Sequence, residues 1–488
     1  MATASKKVVN GWAMYDWANS VYNLVITTTF FPIYFTAATK AAFKSNEIIF
    51  LGRTFENSAL YDYALGVAYF IIALTYPILT SIADIRGNKK SFMKFFCYIG
   101  AIGCSGLFLF KGANVGYGLF CFMLAAMGYV GSLVFYNAYL PEIAAPEDRD
   151  RISAKGYTFG YIGSVLLQII GFGLVISMKG NEGLASRITF LLVGLWWFGF
   201  AQVTFARLPV GKASEGHSNK ASIITQGFLE MRKVYEQVSS LPVLKRYLRG
   251  FFFYSMGVQT VMLAATLFGS KLLNLDDTKL IVTVVIIQLV AIVGAILMSK
   301  LSSKFGNLKV LIGVVIFWIF ICVAAFGIAN NAEGLKPSFQ KIDKLKIEKE
   351  SIKENTAGTN NEEAIKALEI QIETLKKEIA PKQTPVEYQF YLLAVAVGLV
   401  MGGIQSLSRS TYAKLMPDTQ DTASFFSYYD LTEKIAIVIG MFSFGYIEEL
   451  TGSMKNSILF LILFFGIGLL WLFAALSKQK QLIKTNYL

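Results

Sequence analysis

Asp84-Ile85-Arg86-Gly87-Asn88-Lys89-Lys90 stands between two long apolar runs, and Ser303-Lys304-Phe305-Gly306-Asn307-Leu308-Lys309 stands between two others, 219 residues further on. Each is a short basic turn built around Gly-Asn. The flanking runs fall at 59–83 and 92–111 in the first case and at 278–299 and 308–329 in the second. Runs of about 20 residues without polar alternation are the length of an α-helix that crosses a bilayer, not the pattern of a membrane β-strand. Eight more runs lie at 12–38, 113–140, 155–178, 187–207, 247–270, 388–410, 424–448 and 456–476. The chain therefore reads as an all-α membrane protein of twelve transmembrane helices.

A second pair of matches extends the repeat. Ala138-Tyr139-Leu140-Pro141-Glu142 ends the fourth run, and Lys414-Leu415-Met416-Pro417-Asp418 ends the tenth, 276 residues later. The offset has grown by 57, about the length of the polar segment 330–387. Duplication followed by one insertion accounts for both offsets. The predicted organisation is an N-terminal six-helix half (1–208), a linker (209–246), helices 7–9 (247–329), the insertion (330–387), and helices 10–12 with a tail (388–488). In the insertion, Ile365, Leu368, Ile372, Leu375 and Ile379 repeat at 3-4 spacing, and Ile342, Leu345 and Ile352 follow the same register. That pattern predicts an antiparallel helical hairpin with a narrow seam. In the linker, Ile224, Phe228, Met231, Tyr235 and Val238 predict an amphipathic helix on the membrane surface.

Composition agrees. Of 488 residues 55% are hydrophobic and 16% charged, with mean hydropathy +0.52; a soluble chain carries about 25% charged residues. The net charge of +13 is topological. With the N-terminus in the cytoplasm, cytoplasmic segments hold 25 Lys and Arg and external ones 19, of which 10 sit in the insertion beside 11 acids. The positive-inside rule then puts both termini in the cytoplasm and gives nucleic-acid binding no support. Lys6 and Lys7 precede the first run with no small-residue cleavage site behind it, so it reads as a retained helix. Cys97, Cys104, Cys121 and Cys322 lie in apolar runs without a CxxC pair, and His217 is the one histidine. No metal site, cofactor, nucleophile–base pair or enzymatic constellation follows from these residues.

The charge count leaves Asp16, Asp430, Glu433 and Lys434 as ionisable residues inside the spans. Such residues are costly in lipid, and an acid so placed can take up a proton or bind a substrate amine. Asp430 and Lys434, one turn apart, form a predicted compensated pair, which leaves Glu433 as the unpaired acid unless it meets Lys434 at i, i+1 reach or a residue of another helix. These four are the proton-coupling candidates. Trp12, Asn19 and Asn23 share a helical face with Asp16, and Tyr157, Tyr161, Ser164 and Gln168 share another. With Gln259, Gln288, Gln405 and Arg409 they form a predicted polar pathway facing inward. Arg409 also falls near a helix end, where snorkelling is the alternative. Asp84 and Arg86 are gate candidates, Asp84 facing the start of helix 11.

Several stretches carry a family resemblance: Gly11-Trp12-Ala13-Met14-Tyr15-Asp16-Trp17-Ala18-Asn19-Ser20, Phe135-Tyr136-Asn137-Ala138-Tyr139-Leu140-Pro141-Glu142, Ser153-Ala154-Lys155-Gly156-Tyr157, Gly402-Gly403-Ile404-Gln405-Ser406-Leu407-Ser408-Arg409-Ser410 and Tyr428-Tyr429-Asp430-Leu431-Thr432-Glu433-Lys434. Together they resemble the bacterial branch of the major facilitator superfamily related to the autophagy-related vacuolar amino-acid effluxer. The resemblance covers nearly the whole chain outside 330–387. It departs at Ile85, where the family has Arg, and at Met256, where relatives carry Asp, so a coupling role for that acid does not transfer. It implies the major facilitator fold and amino-acid export, although substrate does not carry across such distances. The resulting expectation is a monomeric, multi-pass protein of the bacterial inner membrane, in contact with membrane lipids. It would move a small polar solute (an amino acid or similar) by alternating access, with protons as the candidate coupling ion. An exporter of peptides or other metabolites is the alternative within transport, and a non-transporting scaffold or receptor using the hairpin is the alternative outside it.

Overall fold

The computed structural model describes residues 2–211, 223–275, 277–355 and 359–486. The chain begins with α1, Lys6–Phe43, which widens into π-helical turns over Tyr22–Phe30. A short antiparallel pair, β1 (Glu47–Phe50) and β2 (Arg53–Glu56), joined with Ile48 opposite Phe55, leads into α2, Asn57–Arg86. Next come α3 (Lys89–Leu109), α4 (Val115–Ile143), α5 (Arg149–Ser177) and α6 (Glu182–Arg207). A linker helix α7 (Ile223–Ser240) precedes α8 (Pro242–Leu267), α9 (Asp277–Phe305) and α10 (Asn307–Glu333). The hairpin arm α11 (Lys336–Asn355) is followed by α12 (Thr359–Leu415), α13 (Thr422–Thr451) and α14 (Met454–Asn486).

Ten helices among the described residues are long and apolar enough to cross a membrane. Two more long helices pack into the bundle: α8, which starts with Lys245, Arg246 and Arg249, and α13, which carries Asp430, Glu433, Lys434, Glu448 and Glu449. They stand where sequence analysis predicts helices 7 and 11. In α9 the β-branched run Ile281 to Ile287 would favour a strand in water. In lipid a lone segment satisfies its backbone groups only by forming a helix.

The two halves use the same pairings. In the first, α1 packs on α5 and α6, α4 on α2 and α3, and α3 on α6; in the second, α8 packs on α13 and α14, α12 on α9 and α10, and α10 on α14. Across the halves α5 meets α9 and α12, while α13 meets α2 and α4, which is the same relation read in either direction. The quoted turns match too. Gly87 has φ 62° and Gly306 φ 87°, a left-handed backbone that glycine adopts without penalty. The tightest packing is α9 on α12, where a Cβ at Gly402 would run into the Ala291 carbonyl and one at Gly398 into that of Ile287. Gly398 and Gly402 form the small-xxx-small spacing that lets membrane helices approach closely.

Two elements differ from sequence expectation. The predicted division between insertion and helix 10 at 387 and 388 falls inside a helix, because α12 runs through Pro381 and Pro385 for 57 residues. At 1.5 Å per residue it is roughly 85 Å long, far more than a bilayer's hydrocarbon, so its first part projects with α11 beyond the bundle. Prolines usually break a helix by removing hydrogen bonds. Here the arm is braced by its own core of Leu335, Phe339, Ile342, Ile372 and Ile379, and at its base by Gln383, which donates to the Leu273 carbonyl. In α7 only part of the predicted apolar face packs on the bundle. Val234 and Val238 are buried with Glu230, whereas Phe228 and Tyr235 are more than half exposed. On the inner side Gly227 packs directly on Ile78 of α2, which leaves Phe228 and Tyr235 on the outer side, where a membrane-surface helix would keep them. His217 lies outside the described residues, as does the 356–358 part of the predicted connection between the hairpin arms.

Candidate functional site

Arg409, deep in α12, joins the two halves. It is buried to 2% exposure, and Asp16 of α1 to 5%. The guanidinium donates from Nε to Ser153 Oγ at 2.9 Å and from Nη2 to the Ser153 carbonyl at 2.9 Å. Nη1 donates to Asn137 Oδ1 at 3.2 Å, and both Nη atoms reach Asp16 Oδ2 at 3.4 Å. The same oxygen accepts the Tyr136 hydroxyl at 2.6 Å. The rings of Tyr157, Trp12 and Tyr136 surround the guanidinium at 4.3, 4.8 and 5.4 Å. Trp12 is fixed by stacking on Tyr136 at 4.5 Å and by donating Nε1 to the Tyr136 carbonyl. Aromatic faces and a carboxylate together replace the water an arginine would otherwise need. Of the two readings of Arg409, the inward-facing one describes its position and the snorkelling alternative does not, because protein from the opposite half encloses it. Gly156 makes the enclosure possible, since a Cβ there would fall 2.8 Å from the Tyr136 hydroxyl and 3.0 Å from Arg409 Nη2.

Beyond this cluster the same end of the bundle is bolted shut. Asp84 accepts the backbone N–H of Ala423 at 3.2 Å, and both the N–H and hydroxyl of Ser424 at 2.8 Å, which sets an anion on the first turn of α13. Lys89 completes this bolt with Asp84 at 3.2 Å, Thr422 Oγ1 at 2.6 Å, and Glu142. Arg86, the other gate candidate, is exposed and forms no ion pair among the described residues. It lies past the inward face of α2, and Lys89, three residues on, occupies the buried position. A second bolt stands at the symmetry-related place. Asp150 accepts Ser302 Oγ at 2.7 Å, Asn307 Nδ2 at 2.6 Å and Lys414 Nζ at 2.6 Å, and Arg149 Nη1 donates to the Ala413 carbonyl at 2.6 Å. The linker helix joins in through Lys233, whose Nζ lies 2.8 Å from Asp421 Oδ2 and 3.1 Å from Glu230 Oε1. Burial lowers the Lys233 proton affinity, but the hydrogen bonds and charges of Asp421 and Glu230 raise it on balance.

Toward the hairpin end lies a second charged group. Glu433 and Lys434 are 3.6 Å apart, Gln259 Nε2 donates to Glu433 Oε1 at 3.1 Å, and Lys434 sits 5.6 Å from the Tyr69 ring centre of α2. The predicted Asp430–Lys434 pairing is therefore corrected. Lys434 extends to Glu433 and Tyr69, while buried Asp430 forms no ion pair among the described residues and its Oδ2 has no hydrogen-bond partner there. Tyr161 donates to Gln405 Oε1 at 2.8 Å across the halves. Gln168 belongs elsewhere. It is buried and donates to Leu24 O at 2.8 Å and Thr29 Oγ1 at 3.1 Å, which satisfies backbone in the wide turns of α1. Asn23 stands half-buried at the start of those turns, without a side-chain hydrogen bond among the described residues. Asn19 and Gln288 are buried, with both polar side-chain atoms unpartnered among the described residues.

Sequence reasoning gave no role to Tyr136, Asn137, Ser153, Gly156, Lys89 or Asp150, although most stand in the quoted stretches. It also left Asp62 out of the interior charges; Asp62 lies in α2 but is exposed. The four cysteines are buried and free, and no group of three metal-ligating side chains occurs among the described residues.

Paired halves, matched bolts and a charge cluster between them define a multi-pass membrane transporter of the major facilitator superfamily. The fold is similar to that of the E. coli fucose:proton symporter FucP, with a TM-score of 0.63 over 96% of this chain and 97% of that one at 11% identity. A family model described as "Vacuole effluxer Atg22 like" matches residues 4–340 and 381–482. The chain belongs to that family, and the match leaves out most of the hairpin. It is 26% identical over 471 residues to the uncharacterized MFS-type transporter YxiO of Bacillus subtilis, covering 95% of this chain and 93% of that protein. It is 27% identical over 322 residues to autophagy-related protein 22 of Cryptococcus neoformans. That match covers 64% of this chain and 48% of the fungal protein, so the chain spans about half of that relative's length.

Proposed function

We propose that this chain is a proton-coupled exporter of a small polar solute, an amino acid or similar, that works by rocking its halves about the interface lined by Asp16, Arg409, Glu433 and Lys434. The observation that carries the reading is the buried Asp16–Arg409 pair, with its carboxylate on one half and its guanidinium on the other. A scaffold gains nothing from charge buried across a seam. A transporter needs contacts that form in one state and break in the other. The hydrogen bonds between halves among the described residues run from Tyr161–Gln405 to the bolted end, which is the arrangement of a carrier open toward the hairpin side. The charge bias of the loops argues that the bolted end is cytoplasmic, and the ten apolar helices together with α8 and α13 in the bundle support twelve crossings of an inner membrane. The family's character as vacuole-effluxer-like supports export. Glu433 is the best coupling residue. It contacts Gln259 and Lys434, sits between the halves, and is more exposed than Asp16 or Asp430.

The test uses proteoliposomes and a radiolabelled amino-acid mixture under an imposed pH gradient. Glu433→Gln is expected to abolish gradient-driven accumulation and to leave exchange between equal compartments at least partly intact, because exchange needs the rocking motion but no net proton release. Full pH-driven accumulation by the variant would remove Glu433 from the coupling role. Transport no faster than in empty liposomes for every solute in the mixture would remove the amino-acid reading.

A further inference from the structure

A cavity of about 510 Å³ lies where the hairpin meets the transport helices, within the roughly 300–1,000 Å³ range of small-molecule sites. Lys346 of α11 and Lys376 of α12 line it from the two hairpin arms, and Asn274, Lys279 and Glu387 line it from the bundle. Phe339, Ile342 and Ile379 give it an apolar side. Its charges do not balance. Glu387 gives both carboxylate oxygens to Lys279, each at 2.8 Å, so that pair is neutral. Among the described residues Lys346 pairs only with Asp343 at 3.4 Å, an exposed i, i+3 pair of the kind that contributes little. Lys376 has no ion-pair partner among the described residues. Lys346 and Lys376, both exposed to solvent, thus line one cavity from opposite arms, where a bound anion would meet both ammonium groups. Asn274, in the left-handed region at φ 49°, sets a neutral hydrogen-bonding side chain at the same cavity. Gln383 is already committed to the Leu273 carbonyl.

We propose that this cavity binds an anion bearing phosphate or carboxylate groups, with Lys346 and Lys376 as its clamps and the apolar side taking its carbon body. The group comes either from a soluble metabolite or from a lipid headgroup, since the hairpin base lies beside the membrane helices. An occupant would tie both hairpin arms to the connection between α8 and α9. The inference stands apart from the transport reading, because none of these residues belongs to the interface between the halves.

The full chain is placed in nanodiscs of neutral phosphatidylcholine, and its Tm is followed while citrate or inorganic phosphate replaces chloride at constant ionic strength. A parallel set substitutes phosphatidylglycerol for part of the neutral lipid. A saturable rise in Tm of several degrees is expected in one set: in the soluble-anion set for a metabolite site, in the lipid set for a headgroup site. Lys346→Glu/Lys376→Glu should lose that rise while melting within a few degrees of wild type in chloride, and Lys376→Ala should lose about half of it. No rise in either set, or an undiminished rise in the double variant, overturns the proposal.

Discussion

Asp16→Asn keeps the shape of the inter-half cluster and removes only its negative charge. The amide oxygen can still accept the Tyr136 hydroxyl, and Arg409 keeps Ser153 and Asn137 as hydrogen-bond partners and three aromatic faces. What remains is a buried guanidinium without a counter-charge. Removing one member of a buried pair costs about 3–5 kcal/mol. The retained contacts and the 3.4 Å Asp16–Arg409 separation argue for the lower end, about 3 kcal/mol. Because α1 and α12 belong to different halves, that cost falls on the state in which this end is closed. At about 1.4 kcal/mol per tenfold, the equilibrium should move roughly a hundredfold toward the state open at the bolted end. Spin labels on Glu147→Cys and Asp418→Cys, exposed at that end on opposite halves, report it as an electron-paramagnetic-resonance distance distribution. The native cysteines are all buried and leave the labelling clean. The long-distance population should become dominant in Asp16→Asn. Asp16→Asn/Arg409→Gln, which removes the orphaned charge, should recover the short one. A distribution that overlays wild type in the single variant refutes the lock.

Gly156→Ala should lower the melting temperature by an amount equivalent to about 1–3 kcal/mol, because its Cβ would press on Asp16, Tyr136 and Arg409 at once; unchanged melting would show that the cluster can yield. Lys233→Ala should speed hydrogen exchange across Ile223–Ser240 by freeing the linker helix from Asp421. Since the pairing raises the folded-state Lys233 proton affinity, the wild-type protection is fully present below the unfolded lysine value of about 10.4. It is lost as pH rises through the higher folded value, so the gap between wild type and variant should persist across neutral pH and close only under strong alkali.

The bilayer made most of the architecture readable. An apolar run of about 20 residues has one folded option in lipid, so span positions follow from composition with little help from tertiary contacts. The repeat was readable for a related reason. The turns at Gly87 and Gly306 need left-handed backbone, and a duplicated fold keeps glycine there whatever its neighbours become. Arg409 shows where the reading stopped: sequence placed it on an inward polar path, with snorkelling as the alternative, and named none of its partners. Its place near the end of an apolar run says how deep it lies along the membrane, and on that axis snorkelling is the cheap answer. Burial across the seam between two halves is a different axis, fixed by Ser153, Asn137 and Trp12 more than 250 residues away. Asp150 was lost in the same way, as one charge among residues 148–151 ahead of the apolar run at 155–178.

The group on α13 shows the limit of a helical spacing rule. Residues four apart meet on a helix surface when nothing else competes for them, which makes Asp430 and Lys434 a pair on sequence alone. In the fold, Tyr69 arrives from the other half and Gln259 from α8. A lysine with four flexible methylenes goes where the aromatic face and the second carboxylate are. Asp430, with a short side chain, stays one turn nearer the bolted end and keeps an oxygen unmatched. The result leaves two acids and one base on successive turns of a helix that faces both α2 and α4 of the opposite half. One negative charge there has no cation of its own. When the halves rock, the neighbours from α2 and α4 move and those from α8 do not, so that charge meets different surroundings in the two states. Such a difference is what a proton or a cationic solute group must sense if its uptake is to drive the motion.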